Sequence, residues 1–209
     1  QIVMVGDYYQ LPSVGSGQIL KDLIESEMID TIYLDTLYRQ NDESYIPVLA
    51  NDIKNNELTD PVKIKDDYLF LECTNDSLIY NIRNLCKQMI SKGYDYKRVQ
   101  IMAPMYASVN GIDNINKEIQ DIFNPKEENK KELIIGDLIY RENDKILQLV
   151  NNPDNNVFNG DIGFIKYIIT KDKSESKKDE IYIDFDGNLV KYLPKDLIKI
   201  KHGYAISIH

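Results

Sequence analysis

The sequence predicts an α/β protein with a parallel sheet and crossover helices, followed by a small all-β module. Three observations carry that expectation. Short apolar runs alternate with amphipathic helical stretches over residues 1–123, the pattern of strands joined by crossover helices. A charged linker, Asn124-Pro125-Lys126-Glu127-Glu128-Asn129-Lys130-Lys131, interrupts it. Beyond the linker only short, closely spaced strands recur, with turn residues between them, as in small barrels.

The elements follow in order. Residues 1–5 form a short apolar run broken by Gly6-Asp7, which reads as a buried strand of a parallel sheet. Gly15-Ser16-Gly17 opens a helix over about 18–27, with Ile19, Leu20, Leu23 and Ile24 on one face. A strand at 31–34 and a turn at 37–40 precede a second helix, about 44–55, burying Ile46, Leu49 and Ile53. A strand follows at 68–71. The next helix takes Asn75 or Asp76 as its cap and packs Leu78, Ile82, Leu85 and Met89. A strand over 99–104 ends at Pro104, and a helix runs from about Gly111 to Phe123. The β module, bounded near Glu132 and Ile200, has strands at 133–140, 145–150, 163–169, 180–185 and 189–192. Asp186-Gly187-Asn188 reads as a hairpin turn. Residues 204–209 start a new apolar strand, and the chain reads as cut at both ends.

Composition narrows the function classes. A chain of 209 residues holds one large domain or two small ones. A net charge of −9 argues against a nucleic-acid partner unless a groove is locally basic. No apolar stretch approaches the roughly 20 residues that span a bilayer, and the start lacks the plan of a signal peptide. Cys73 and Cys86 have no companions that would make a disulfide framework or a zinc site. The expectation is a cytoplasmic protein with no membrane partner and no metal ligands of its own.

In open α/β sheets, ligands bind beyond the carboxyl ends of strands, where Asp7, Gln10, Pro104 and Tyr106 fall. The stretch Gly6-Asp7-Tyr8-Tyr9-Gln10-Leu11-Pro12-Ser13-Val14-Gly15-Ser16-Gly17 resembles the third motif of superfamily-one RecD-like DNA helicases, relatives of the exodeoxyribonuclease V alpha subunit. Further blocks follow in that family's order: Leu37-Tyr38-Arg39-Gln40, Ala103-Pro104-Met105-Tyr106 with Gly111, Ile112 and Asn116, and Gly136-Asp137. Asn159-Gly160-Asp161-Ile162-Gly163 and Tyr204-Ala205-Ile206-Ser207-Ile208-His209 complete the series.

The resemblance implies a RecA-like P-loop NTPase motor domain with an inserted SH3-like β-barrel. It divides the chain into the end of a first motor domain (1–40), a second motor domain (41–131), the barrel (132–200) and a return strand (201–209). It also implies ATP with Mg²⁺ as cofactors, and single-stranded DNA as partner for a 5′ to 3′ helicase of recombination or repair. Gly6, Asp7, Gln10 and Arg39 would form the ATP site. Gln10 would meet the γ-phosphate or the attacking water, and Arg39 would act as an arginine finger on developing charge. Asp7 has three roles open to it: a metal-bound water, orientation of Gln10, or a turn bonding its own backbone. DNA contacts would fall to Leu11, Pro12, Ser13, Pro104, Tyr106, Asn116, Asn159 and His209. Tyr106 is equally readable as a core aromatic, Asn159 is first a turn residue, and Asn116 could instead cap a neighbouring loop.

The sequence holds no Gly-x-x-x-x-Gly-Lys-Ser/Thr loop, whose amides and Lys cradle the β- and γ-phosphates. The 209 residues alone are therefore expected to hydrolyse no ATP. The whole protein is readable as a stand-alone motor or as a partner of exonuclease subunits. Rival readings are another superfamily-one motor, such as a relaxase-helicase or a Dda-like helicase, and a non-catalytic protein-binding β module. Salt-dependent capture of oligo-dT separates the last from a DNA motor.

Overall fold

The structure, a computed structural model, describes residues 2–10, 15–34, 44–58 and 64–207. The chain forms two compact units, Gln1–Glu72 and Cys73–His209. Among the described residues no helix is long and apolar enough to cross a membrane.

The first unit contains helices α1 (Ile19–Glu25) and α2 (Ile46–Asn55) and a hairpin of β1 (Ile64–Lys65) with β2 (Tyr68–Leu69). The Asp67 carboxylate in the hairpin turn accepts hydrogen bonds from Ser44 Oγ (2.5 Å) and the Tyr45 amide (3.1 Å) just before α2. The Ser44 hydroxyl and that amide hold the Asp67 carboxyl below its usual range.

Two expected strands are absent here. Residues 2–5 and 31–34 take no strand structure, and Val5 and Leu34 are each 90% exposed. A strand exists by pairing, and neither run pairs with a described strand. Nor does α2 bury its apolar face: Ile46 and Ile53 are exposed and Leu49 is only half-buried. The strand read at 68–71 is a two-residue arm of an antiparallel hairpin rather than part of a parallel sheet.

The second unit has two cores. One lies among α3 (Leu78–Ser91), β3 (Ile101–Ala103), α4 (Ile112–Phe123) and β11 (Ala205–Ser207). Ile112, Ile115, Ile119 and Phe123 recur along one side of α4 and meet Cys86 of α3, Ala103, Tyr204 and Ala205. Strands β3 and β11 pair in parallel, Ile101 with Ala205 and Ala103 with Ser207. This is the crossover arrangement expected of a RecA-like α/β domain.

The other core belongs to the β module. Here β6 (Lys145–Gln148), β7 (Ile162–Ile169), β8 (Glu180–Phe185), β9 (Asn188–Tyr192) and β10 (Ile200–His202) form an antiparallel sheet in the order β10-β6-β7-β8-β9. Residues 133–140, expected as one strand, are two: β4 (Glu132–Ile135) and β5 (Leu138–Arg141) fold back at Gly136-Asp137, where Gly136 takes φ +58°. Alternation decides the burial: Ile181, Ile183 and Phe185 of β8 point inward with Ile165, Ile168 and Tyr192. Each fully buried Ile contributes about 1.5–3 kcal/mol. The expected Asp186-Gly187 turn joins β8 to β9 with both residues at positive φ, 52° and 90°, the geometry of a tight hairpin.

Candidate nucleotide-sensing and DNA-facing site

In the first unit the motif begins as a local hydrogen-bonded turn. Asp7 Oδ1 accepts from the Tyr9 amide (3.0 Å), and the Asp7 carbonyl accepts from the Gln10 amide (3.2 Å). Gln10 Nε2 donates to Asp7 Oδ2 at 3.3 Å. Asp7 is thus at once a turn residue and the group that holds the Gln10 side chain. Both side chains are exposed. Gly6 lies close under α1: a Cβ there would sit 2.7 Å from Leu20 Cδ2. The rings of Tyr8 and Tyr9 lie 4.2 Å apart, and Lys54 of α2 caps the Tyr9 ring at 4.5 Å. The hydrogen bond to Tyr9 raises the Tyr8 phenol to about 12. Leu11, Pro12, Ser13, Arg39 and His209 lie outside the described residues.

In the second unit Pro104 and Tyr106 follow the carboxyl end of β3, and both are exposed. The loop turns back so that the Ile112 amide reaches the Met105 carbonyl at 2.9 Å. Only glycine fits at 111, because a Cβ would lie 2.2 Å from the Tyr106 carbonyl oxygen. Lys201 Nζ sits 4.9 Å from the centre of the Tyr106 ring and 3.0 Å from Asp113 Oδ1. Tyr106 is therefore a surface aromatic with a cation over its ring, not a core residue.

Asn159 is exposed in a turn closed by Phe158 and Asp161, where the Phe158 amide donates to Asp161 Oδ2 at 2.7 Å. Gly160 there has φ +97°. Asn116 departs from its expected place on DNA. It is 4% exposed, and its amide bonds both backbone groups of Ala205: Nδ2 donates to the carbonyl at 3.0 Å and Oδ1 accepts from the amide at 2.8 Å. The side chain pins β11 to α4, which leaves it no face for a phosphate.

The residue that sequence reasoning misses is Asp144, which is fully buried. Its Oδ2 accepts from Gln120 Nε2 (2.7 Å) and the Arg141 amide (2.6 Å), with His202 Nε2 at 3.2 Å. Its Oδ1 accepts from Asn124 Nδ2 (2.7 Å) and the Tyr204 hydroxyl (2.8 Å). Burial, then the nearby Asp144 carboxylate, pushes the Tyr204 phenol up. Beside it, burial works against the Arg141 charge, yet Glu132 (2.6 Å) and Asp121 (3.1 Å) hold its pKa above the ordinary value. A signal for this centre exists in the sequence: Asn116, Gln120 and Asn124 form a row of uncharged amides at helical spacing.

The fold defines a class: a RecA-like α/β segment carrying an SH3-like barrel. Residues 115–185 match the model of the ATP-dependent RecD-like DNA helicase SH3 domain, and residues 1–76 match an AAA domain model. The chain is 28% identical to the ATP-dependent RecD2 DNA helicase of Deinococcus radiodurans over 209 residues, 100% of this chain and 27% of that protein. It is 25% identical over 204 residues to the ATP-dependent DNA helicase RRM3 of Saccharomyces cerevisiae, 91% of this chain and 26% of that one. A solved Pif1 helicase from Bacteroides, in complex with ADP-AlF3 and ssDNA, aligns with TM-score 0.47 and 18% identity, covering 98% of this chain and 52% of that one. These likenesses make the chain similar to RecD-like superfamily-one helicases over its whole length. It spans about a quarter of the length of the curated relatives it matches.

Proposed function

We propose that this chain is a segment of an ATP-driven DNA helicase that moves 5′ to 3′ on single-stranded DNA in recombination or repair. One observation carries the reading. The Asp7–Gln10 pair, in a stretch that matches an AAA domain, shares its chain with a RecD-like helicase SH3 match. Residues 1–40 end the first motor domain and 41–131 make the second, while the barrel runs from 132 through β10 at His202 and the return strand follows it.

In this reading Asp7 presents Gln10 to the γ-phosphate or attacking water, and Gly6 lets the turn lie against α1. Arg39 brings a permanent, forked cation to charge developing on the transferring oxygens. These residues fit the γ-phosphate end of a nucleotide. They do not fit its metal: no group of His, Cys, Asp and Glu among the described residues is placed to hold an ion. ATP with Mg²⁺, when bound, supplies the free energy for stepping. The expected DNA contacts are Leu11, Pro12 and Ser13 in the first unit and Pro104, Tyr106, Asn159 and His209 in the second. Among these the exposed Tyr106 ring stacks on a base, an interaction worth about 1–3 kcal/mol. The protein works in the cytoplasm, with DNA and, in a complex, with exonuclease subunits.

Arg39→Ala in the full-length protein tests this directly. The expected loss of DNA-stimulated ATP hydrolysis is about 10³–10⁵-fold. Normal single-strand-stimulated turnover in that variant overturns the assignment.

A further inference from the structure

Polar groups of five consecutive residues, Arg141 to Lys145, cross the junction between the barrel and the α/β segment, beside the contact of Tyr96 and Lys97 with the Phe164 ring. Arg141 reaches Asp121 and the Asn124 carbonyl on α4 and the linker. The Glu142 carbonyl accepts from Asn124 Nδ2 at 3.0 Å, and the Asn143 carbonyl accepts from the Tyr96 hydroxyl at 2.9 Å. Lys145, 3% exposed, donates to the Val99 carbonyl at 2.8 Å. Asp144 sits at the centre and gathers groups from α4, the turn after β5, and the stretch from β10 to β11.

We propose that Asp144 is a positioning residue that locks the SH3-like barrel to the motor segment, so that the barrel and β11 move as one body. Hydrogen bonds are directional, so several of them converging on one buried carboxylate are satisfied together in only one orientation. The barrel enters through the linker after α4 and leaves through β10 to β11, and Asp144 ties both connections together. Any displacement of the barrel therefore reaches β11 directly. Resting on the helicase reading, one consequence follows: Asp144 couples DNA engaged at the barrel to nucleotide turnover.

The test uses the full-length protein with its other reactive cysteines, Cys73 among them, replaced. Spin labels go on Tyr80→Cys in α3 and Leu189→Cys in β9, both exposed in the native protein. The unaltered junction gives a narrow distance distribution. Asp144→Asn and Tyr204→Phe broaden it, and Ile183→Ala, which weakens the barrel core without touching the junction, leaves it narrow. In parallel, Asp144→Asn raises the ATP hydrolysed per base pair unwound by about 5-fold or more, the low end of typical coupling between sites, while DNA-stimulated hydrolysis persists.

Distributions as narrow as native in both junction variants overturn the positioning role. Broadened distributions with unchanged ATP per base pair overturn the coupling. If Asp144→Asn does not fold, Tyr204→Phe decides, since it removes a single hydroxyl. If the native protein shows no DNA-stimulated hydrolysis, the helicase reading falls, and the distances alone decide whether Asp144 fixes the barrel.

Discussion

The unit Gln1–Glu72 carries the most recognisable motif, yet every described side chain that is fully buried belongs to the unit Cys73–His209. The motif turn at Asp7 closes through bonds between residues two or three apart. The junction at Asp144 closes through partners up to 60 residues away. Recognisable chemistry and a self-sufficient core are therefore different properties of a chain, located in different places. A sequence motif records what a ligand demands of a few side chains. A core records what the rest of the chain supplies.

The sharpest way to break this contrast is to remove matched apolar side chains from the two units. Ile183→Ala, in the barrel core, costs about 2–5 kcal/mol of stability in urea unfolding; a loss below about 1 kcal/mol would show that the barrel core is not what holds the second unit. Gly111→Ala comes next. Its added methyl meets the Tyr106 backbone, and the displaced loop costs about 1–3 kcal/mol. In the NMR spectrum of that variant, the upfield shift that the Tyr106 ring imposes on the Lys201 side-chain protons should disappear.

Acid response is a finer probe. Glu180 of the barrel is held down to about 2, from an ordinary 4.5, by Ser176, Ser174, Tyr182 and Lys191. Because the folded form keeps its carboxylate at lower pH than the unfolded form does, this contribution is present above pH 4.5 and fades as pH falls toward 2. Glu180→Gln should flatten the stability curve across that window, bringing variant and native protein together at its acid end. Smallest of all, Val5→Ala in the first unit should shift stability by no more than about 0.5 kcal/mol, since Val5 is 90% exposed. A large loss there would mean that the first unit hides a core of its own.

Much of the second unit was legible. Helix α4 was legible over about Gly111 to Phe123, and β8 and β9 as short strands on either side of the Asp186-Gly187 turn. Parallel pairing was legible where it was realised, at β3 and β11. It failed for residues 2–5 and 31–34, because an apolar run states a need for partners without supplying them. The site was legible as a set of residues and not as an arrangement. Asn116 was assigned to DNA only by its place in a motif, and its partner, the backbone of Ala205, lies 89 residues away. Asp144 escaped because Glu142, Asn143 and Asp144, the three polar residues between β5 and β6, look like a solvated turn until distant side chains from α4, the linker and the β10–β11 stretch converge on one of them.

The pairing of Ile101 with Ala205 sets an order of events in folding. Closing so long a loop directly costs about 4 kcal/mol of chain entropy, and contacts this distant in sequence form late. The β-barrel, made mostly of neighbouring hairpins, has no such obstacle. Once formed it draws the two ends of its own insertion together and delivers β11 to its place beside β3. In pulse-labelled exchange the amides of β7 and β8 should gain protection before that of Ala205, which waits for Asn116. Synthesis runs in the same direction, since every barrel strand precedes β11 in the chain.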